Sequence, residues 1–214
     1  RPRSAAVISC STGHRAWSGR AVVIMGSLTE TGRGPEAKRS GGRTGPSSRK
    51  EQTAMIISIA SDHAGFEQKQ ALAEYLKGEG YEVIDRGPEN DDRVDYPDYA
   101  AAVANDVSDG TADRGVLVCG TGIGMALAAD KVVGCRAANV INVQFAELCR
   151  QHNDANIVTL SGRFVELEEN KKIVDAFLTT KFEGGRHAMR VAKIMKLDAQ
   201  GKAVIGADGN VRRG

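Results

Sequence analysis

From Met55 onward the chain repeats one pattern: a short apolar run, a polar or glycine-bearing turn, then a stretch with helical spacing. "MIISIA" and "GVLVC" are apolar at successive positions rather than at every second one. Alternate side chains of a strand point to opposite faces, so such runs belong to a sheet covered on both sides. Buried strands joined by segments of helix length predict βαβ units and parallel pairing. The expectation is an α/β fold: a three-layer α/β/α sandwich around a five-stranded parallel, Rossmann-like sheet.

The strands are read at 55–60, 81–86, 115–119, 135–141 and 156–160, and the helices at 66–78, 97–109, 125–132, 143–152 and 166–180. A further short helix follows the two glycines of "EGGRHAMR" (183–190). Pro97 suits the first residue of its helix and Gly110 closes it. Ligands of open parallel sheets sit beyond the carboxyl ends of the strands. That rule selects "SDHAG" (61–65), "CGTGIG" (119–124) and the residues after "NIVTL".

In "CGTGIG", Gly120, Gly122 and Gly124 run G-x-G-x-G, and Met125 stands where the dinucleotide fingerprint needs its last glycine. A P-loop would require Gly-Lys-Ser/Thr, which is absent from the sequence. The loop is either a tight turn or a run of backbone N–H groups suited to a phosphate or a developing oxyanion. Cys119 ends the preceding strand. A strand cysteine is commonly a small buried hydrophobe, yet a thiol beside a helix N-terminus deprotonates more readily, and a thiolate can act as base or nucleophile. Cys135 and Cys149 lack that setting and read as core. The four cysteines show no CxxC and no paired spacing, so neither a zinc knuckle nor a disulfide framework is indicated.

His63 follows the first strand beside Asp62, and His152 ends a helix in "RQHND". Paired metal-ligand spacing is missing, so no metal is expected. Arg186 and Arg190 stand four apart on one helix face, as a phosphate clamp or as a solvated basic face, and Arg163 could join them. An anion loop, a thiol, two histidines and a basic clamp together suggest a small anionic substrate such as a sugar phosphate.

Residues 1–54 form a separate object, with ten Lys and Arg against three acidic residues and no apolar period able to bury a face. They are expected to be a disordered basic extension: an organellar transit peptide, or upstream sequence before a start at Met25 or Met55. The rest carries 19 basic against 24 acidic residues, which argues against a nucleic-acid surface. Its longest apolar run falls far short of the roughly 18 residues of a membrane span. No nucleic-acid or membrane partner is expected, and the cytoplasm is the default location, or an organelle if the extension is a transit peptide.

Taken together, "SDHAGF", "DYPDYA", "CGTGIGMALAADK", "RQHNDAN" and "EGGRHAMR" resemble, in order and spacing, the type B ribose-5-phosphate isomerases, the family that also holds galactose- and allose-6-phosphate isomerases. The resemblance implies a sugar-phosphate isomerase domain over 55–196, followed by a C-terminal tail over 197–214. It implies that Cys119 moves a proton between C1 and C2 of the open-chain sugar. The backbone from Gly120 through Gly122 and Ile123 to Gly124 would stabilise the enediolate, with Thr121 assisting. By the same resemblance His152, helped by Asp62, opens the furanose ring, Asn153 holds sugar hydroxyls, and His63, Arg163, Arg186 and Arg190 bind phosphate. Tyr96 of "DYP" forms a wall of the site. Members that lack the thiol use a glutamate a few residues along the loop; here that stretch reads Thr-Gly-Ile-Gly-Met. The implied reaction interconverts ribose 5-phosphate and ribulose 5-phosphate without a cofactor, in a homodimer or dimer of dimers with shared active sites. Another sugar phosphate is the alternative within the family; a non-catalytic nucleotide- or flavin-binding module is the alternative outside it.

Overall fold

Val116 and Val118 face one layer of helices, Leu117 and Cys119 the other, and all four are buried. This is why their strand shows no polar alternation. The computed structural model describes residues 54–198, 203–205 and 211–213. The extension expected over 1–54 lies outside the described residues but for Ala54.

In chain order the elements are β1 (Ile56–Ser61), α1 (Phe66–Gly78), β2 (Glu82–Asp85), α2 (Tyr96–Asp109), β3 (Arg114–Cys119), α3 (Ile123–Ala129), β4 (Ala137–Asn139), α4 (Val143–Asn153), β5 (Ile157–Ser161), α5 (Leu167–Thr179) and α6 (Arg186–Asp198). The five strands pair in parallel in the order β2-β1-β3-β5-β4, which places β3 and its terminal cysteine at the centre. Two further strands, β6 (Ala203–Ile205) and β7 (Val211–Arg213), form a separate antiparallel ribbon where the sequence reading had only a tail.

Ile57, Ile59, Leu72, Leu76, Ile173 and Phe177 fill one side of the sheet; Ala60, Val103, Leu117, Met125 and Ile157 fill the other. Each large side chain buried this way contributes about 1.5–3 kcal/mol. Ion pairs such as Lys77–Glu74 and Lys172–Glu169, whose lysines are exposed, contribute well under about 1 kcal/mol each. The packed layers therefore decide the fold. Among the described residues no helix is long and apolar enough to cross a membrane.

Three elements depart from the sequence reading. α3 starts at Ile123 rather than Met125 and stops at Ala129, after which Lys131 and Val132 donate to carbonyls three residues back and tighten the chain into a turn. β4 has three residues because the backbone donors of Cys135 and Arg136 serve other bonds: Cys135 N–H donates to Val132 O at 3.1 Å, and Arg136 N–H to Asn156 Oδ1 at 2.8 Å. α6 begins at Arg186, after Gly184 and Gly185 at positive φ, and runs well past residue 190 to Asp198.

A buried polar knot ties β1, α2 and the end of β2. Asp106 accepts from Ser58 Oγ at 2.6 Å, Arg86 Nε at 2.7 Å and Arg86 Nη2 at 2.6 Å. Burial alone would push this carboxyl up, but the Arg86 and Ser58 hydrogen bonds and the Arg86 charge outweigh it and hold it below its ordinary value. A carboxyl depressed by folding adds stability above its unfolded pKa, and that stability is lost as pH falls through the folded value. Asp106→Asn is thus expected to destabilise at neutral pH and to converge on the wild type below about pH 4. Urea unfolding at several pH values checks this, and a gap that does not narrow in acid would count against it.

Candidate functional site

Three turns meet at the carboxyl end of the central strands. Asp62 N–H donates to Val118 O at 3.1 Å, Gly162 N–H to Cys119 O at 2.8 Å, and Arg163 N–H to Gly120 O at 3.3 Å. Gly65 lies so close to β3 that a Cβ there would stand 2.6 Å from the Val118 carbonyl. The sequence places glycines where backbone must touch backbone, and the turns after β1, β3 and β5 interlock as a result.

Cys119 is 5% exposed, and its Sγ accepts the Gly122 N–H at 3.1 Å. The sequence reading gave the whole run of loop amides to a ligand; the Gly122 amide is instead taken by the thiol. Thr121 is exposed, and its hydroxyl accepts from Ile123 N–H at 3.3 Å. The Tyr96 ring packs on Gly124, 2.8 Å from where a Cβ would stand, and the Arg163 side chain lies against Gly120 at 3.4 Å by the same measure. Asp62, 8% exposed, commits Oδ1 to the N–H groups of Ala64 and Gly65 at 2.9 and 3.0 Å. His63 beside it is half-buried, with a buried Nδ1 that has no hydrogen-bond partner. Burial pushes the Cys135 and Cys149 thiols up to about 11, so both stay protonated at neutral pH, as core cysteines should.

A second group forms where the end of α4 meets the start of α6. His152 and His187 stack with ring centroids 4.2 Å apart and planes 3° from parallel. Glu183 reaches both, with Oε2 3.9 Å from His152 Nε2 and 3.7 Å from His187 Nε2. Arg186 Nε donates to His187 Nε2 at 3.2 Å, while Arg186 and Arg190 are otherwise exposed. Burial, then the charges of His152, Arg186 and Arg190, hold His187 below the ordinary imidazole range against the pull of Glu183. His152 and Asn153 also line a cavity of about 420 Å³ with Asn139, Ile141 and Phe145.

Ligand atoms of His152, Glu183 and His187 lie within 4.8 Å of one another, a spacing a metal ion could span. A ring nitrogen binds a metal in the plane of its ring, and two stacked, nearly parallel planes share no such point. Arg186 also occupies the His187 lone pair, so the trio does not suit one ion.

The structure thus brings Asp62, His63, Tyr96, Cys119, the loop from Gly120 to Gly124, and Arg163 together, and separately His152, Arg186 and Arg190 beside Asn153. Among the described residues no hydrogen bond or ion pair joins the two groups. Glu183 and His187 were not assigned by sequence reasoning; the one available signal was that His187, like His152, falls in a polar turn. Asn139 was missed as well. It donates through Nδ2 to Thr121 O at 3.2 Å and so braces the cysteine loop from β4.

Comparison with known proteins identifies the family. The family model described as Ribose/Galactose Isomerase matches residues 57–194. Probable ribose-5-phosphate isomerase B of Mycoplasma pneumoniae is 48% identical over 145 residues, covering 67% of this chain and 95% of that protein. Ribose-5-phosphate isomerase B of Escherichia coli is 44% identical over 142 residues, covering 66% and 95%. Among solved structures, ribose-5-phosphate isomerase B of Clostridium thermocellum superposes with a TM-score of 0.67 at 48% identity, covering 68% of this chain and 98% of that one. The Mycoplasma genitalium enzyme with bound ribulose-5-phosphate gives 0.66 at 46% identity, covering 69% and 98%.

Proposed function

The chain belongs to the ribose/galactose isomerase family, and from that premise we propose that it interconverts ribose 5-phosphate and ribulose 5-phosphate through an enediolate, with Cys119 as the base. The observation that carries this reading is the Cys119 thiol itself, set at the end of the central strand with a backbone N–H on its sulfur and loop amides beside it.

The chemistry needs no redox partner. Ring opening breaks the bond between C1 and the ring oxygen; that oxygen gains a proton from His152, the C1 hydroxyl loses one, and an aldehyde forms. The Cys119 thiolate then takes the C2 proton, and the electron pair moves into a C1–C2 double bond with charge on O1. Returning the proton to C1, while the O2 proton passes to O1, yields the ketose. Loop N–H groups near the developing charge stabilise it, and the Thr121 hydroxyl lies beside the path between O1 and O2. His63, Arg163, Arg186 and Arg190 supply the positive side for the phosphate.

Among the described residues no hydrogen bond or ion pair joins the two groups, and the family resemblance implies a site shared between two copies of the chain, which would bring both groups to one substrate. Ile123 at 55% exposure, Leu127 at 61%, Ile141 and Phe145 at 53% each, and Phe164 at 78% are large apolar side chains left at the surface, which a second copy would cover. Turnover of purified protein on a panel of pentose, hexose and tetrose phosphates tests the substrate. Ribose 5-phosphate is expected to be converted best; equal or better turnover of galactose 6-phosphate or another hexose phosphate would overturn the assignment.

A further inference from the structure

We propose that His187 and Glu183 are positioning residues for His152, fixing the ring edge that delivers a proton to the sugar ring oxygen. The proposal rests on the assignment of His152 to ring opening.

His152 sits on the last turn of α4, where a side chain of 36% exposure would otherwise sample several orientations. Its ring instead lies flat on that of His187, which is 5% exposed and held in the first turn of α6. A plate at 4.2 Å allows the upper ring to slide but resists tipping it out of plane. The plate is itself fixed: Arg186 Nε–H donates to His187 Nε2, so that nitrogen carries a lone pair and the ring proton belongs on Nδ1. The depressed protonation of His187 agrees with a neutral plate that does not compete as a proton donor.

Glu183 supplies direction within the plane. Its N–H donates to Gln151 O at 3.1 Å, anchoring the segment before α6 to the helix that carries His152. Its carboxylate stands 3.9 Å from His152 Nε2. A carboxylate at that range attracts a proton on that nitrogen and so defines which edge of the ring bears it.

Two reactions of the full chain separate this role from general support of the fold. Net turnover of ribose 5-phosphate, mostly a closed ring, requires ring opening. Deuterium uptake from D₂O into C1 of ribulose 5-phosphate does not, because that ketose cannot close a furanose ring through its phosphorylated C5. In His187→Ala, aldose turnover should fall about tenfold to a hundredfold while deuterium uptake changes less than about twofold. His187→Phe restores a flat plate but leaves Arg186 without its acceptor, so most of kcat should return with a raised KM. Glu183→Gln should lower kcat several-fold at unchanged KM. Wild-type aldose turnover in His187→Ala, or equal losses in both reactions, overturns the proposal. His152→Ala, run in parallel, distinguishes the two levels: wild-type aldose turnover there removes the ring-opening assignment itself, whereas a selective loss there with none in His187→Ala removes only the positioning role.

Discussion

Cys119→Ala is expected to lower turnover by about 10⁴-fold, about 5.5 kcal/mol of barrier, while sugar phosphate still binds within about twofold. The variant removes one sulfur from a site 5% exposed, which costs the fold only about 1 kcal/mol. Substitutes for the base are poor. Cys135 and Cys149 are held as protonated thiols at neutral pH and belong to the core and its margin, and the Thr121 hydroxyl is already bonded to Ile123 N–H. Steady-state kinetics with titration calorimetry separates the two effects, and activity surviving in the alanine variant would remove Cys119 as the base. The same variant tests the shared site. Mixed with His152→Ala after subunit exchange, it should recover roughly a quarter of wild-type activity, since about half the dimers then hold one intact site of two. No recovery in demonstrably mixed dimers would mean that each chain builds its site alone.

Gly122→Ala should lower both stability and turnover. Gly122 has φ of 80° and ψ of −20°, in the left-handed region that costs a side chain about 1–2 kcal/mol. A Cβ there would overlap Asn139 Nδ2 and stand 3.1 Å from the Leu160 carbonyl. Neither neighbour can yield cheaply. Leu160 belongs to the backbone of β5, and Asn139 Nδ2 is bonded to Thr121 O, Thr159 O and Thr159 Oγ1 at 3.2, 3.3 and 3.1 Å. The combined loss should reach about 3–4 kcal/mol of stability. Shifting the loop also moves the N–H from the Cys119 sulfur, so turnover should fall by at least about a hundredfold. Thermal melting and kcat measure these separately; a variant as stable and active as the wild type would be incompatible with this loop geometry.

The parallel sheet was legible because β1, β3 and β5 are buried on both sides and so carry unbroken apolar runs. β4 was read too long because nothing in "CRAANVI" says that the backbone N–H groups of Cys135 and Arg136 bond to Val132 O and Asn156 Oδ1 instead of the ladder. The cysteine loop could be read because its parts are adjacent in sequence and its glycines mark close approach. The stack of His152 on His187 could not: those residues are 35 apart, and their meeting depends on how α6 settles against α4. Asn139 was hidden for a similar reason, since an asparagine ending a short strand gives no sign that its amide reaches the neighbouring loop.

The two outermost strands of the main sheet carry a consequence for assembly. β2 has four residues and β4 three, so each open border offers few unpaired N–H and C=O groups to another chain. Growth of the sheet by adding strands from neighbouring molecules would gain little there and would run open-ended. The shape of the borders therefore turns association away from fibres and toward closed, countable assemblies formed through side chains.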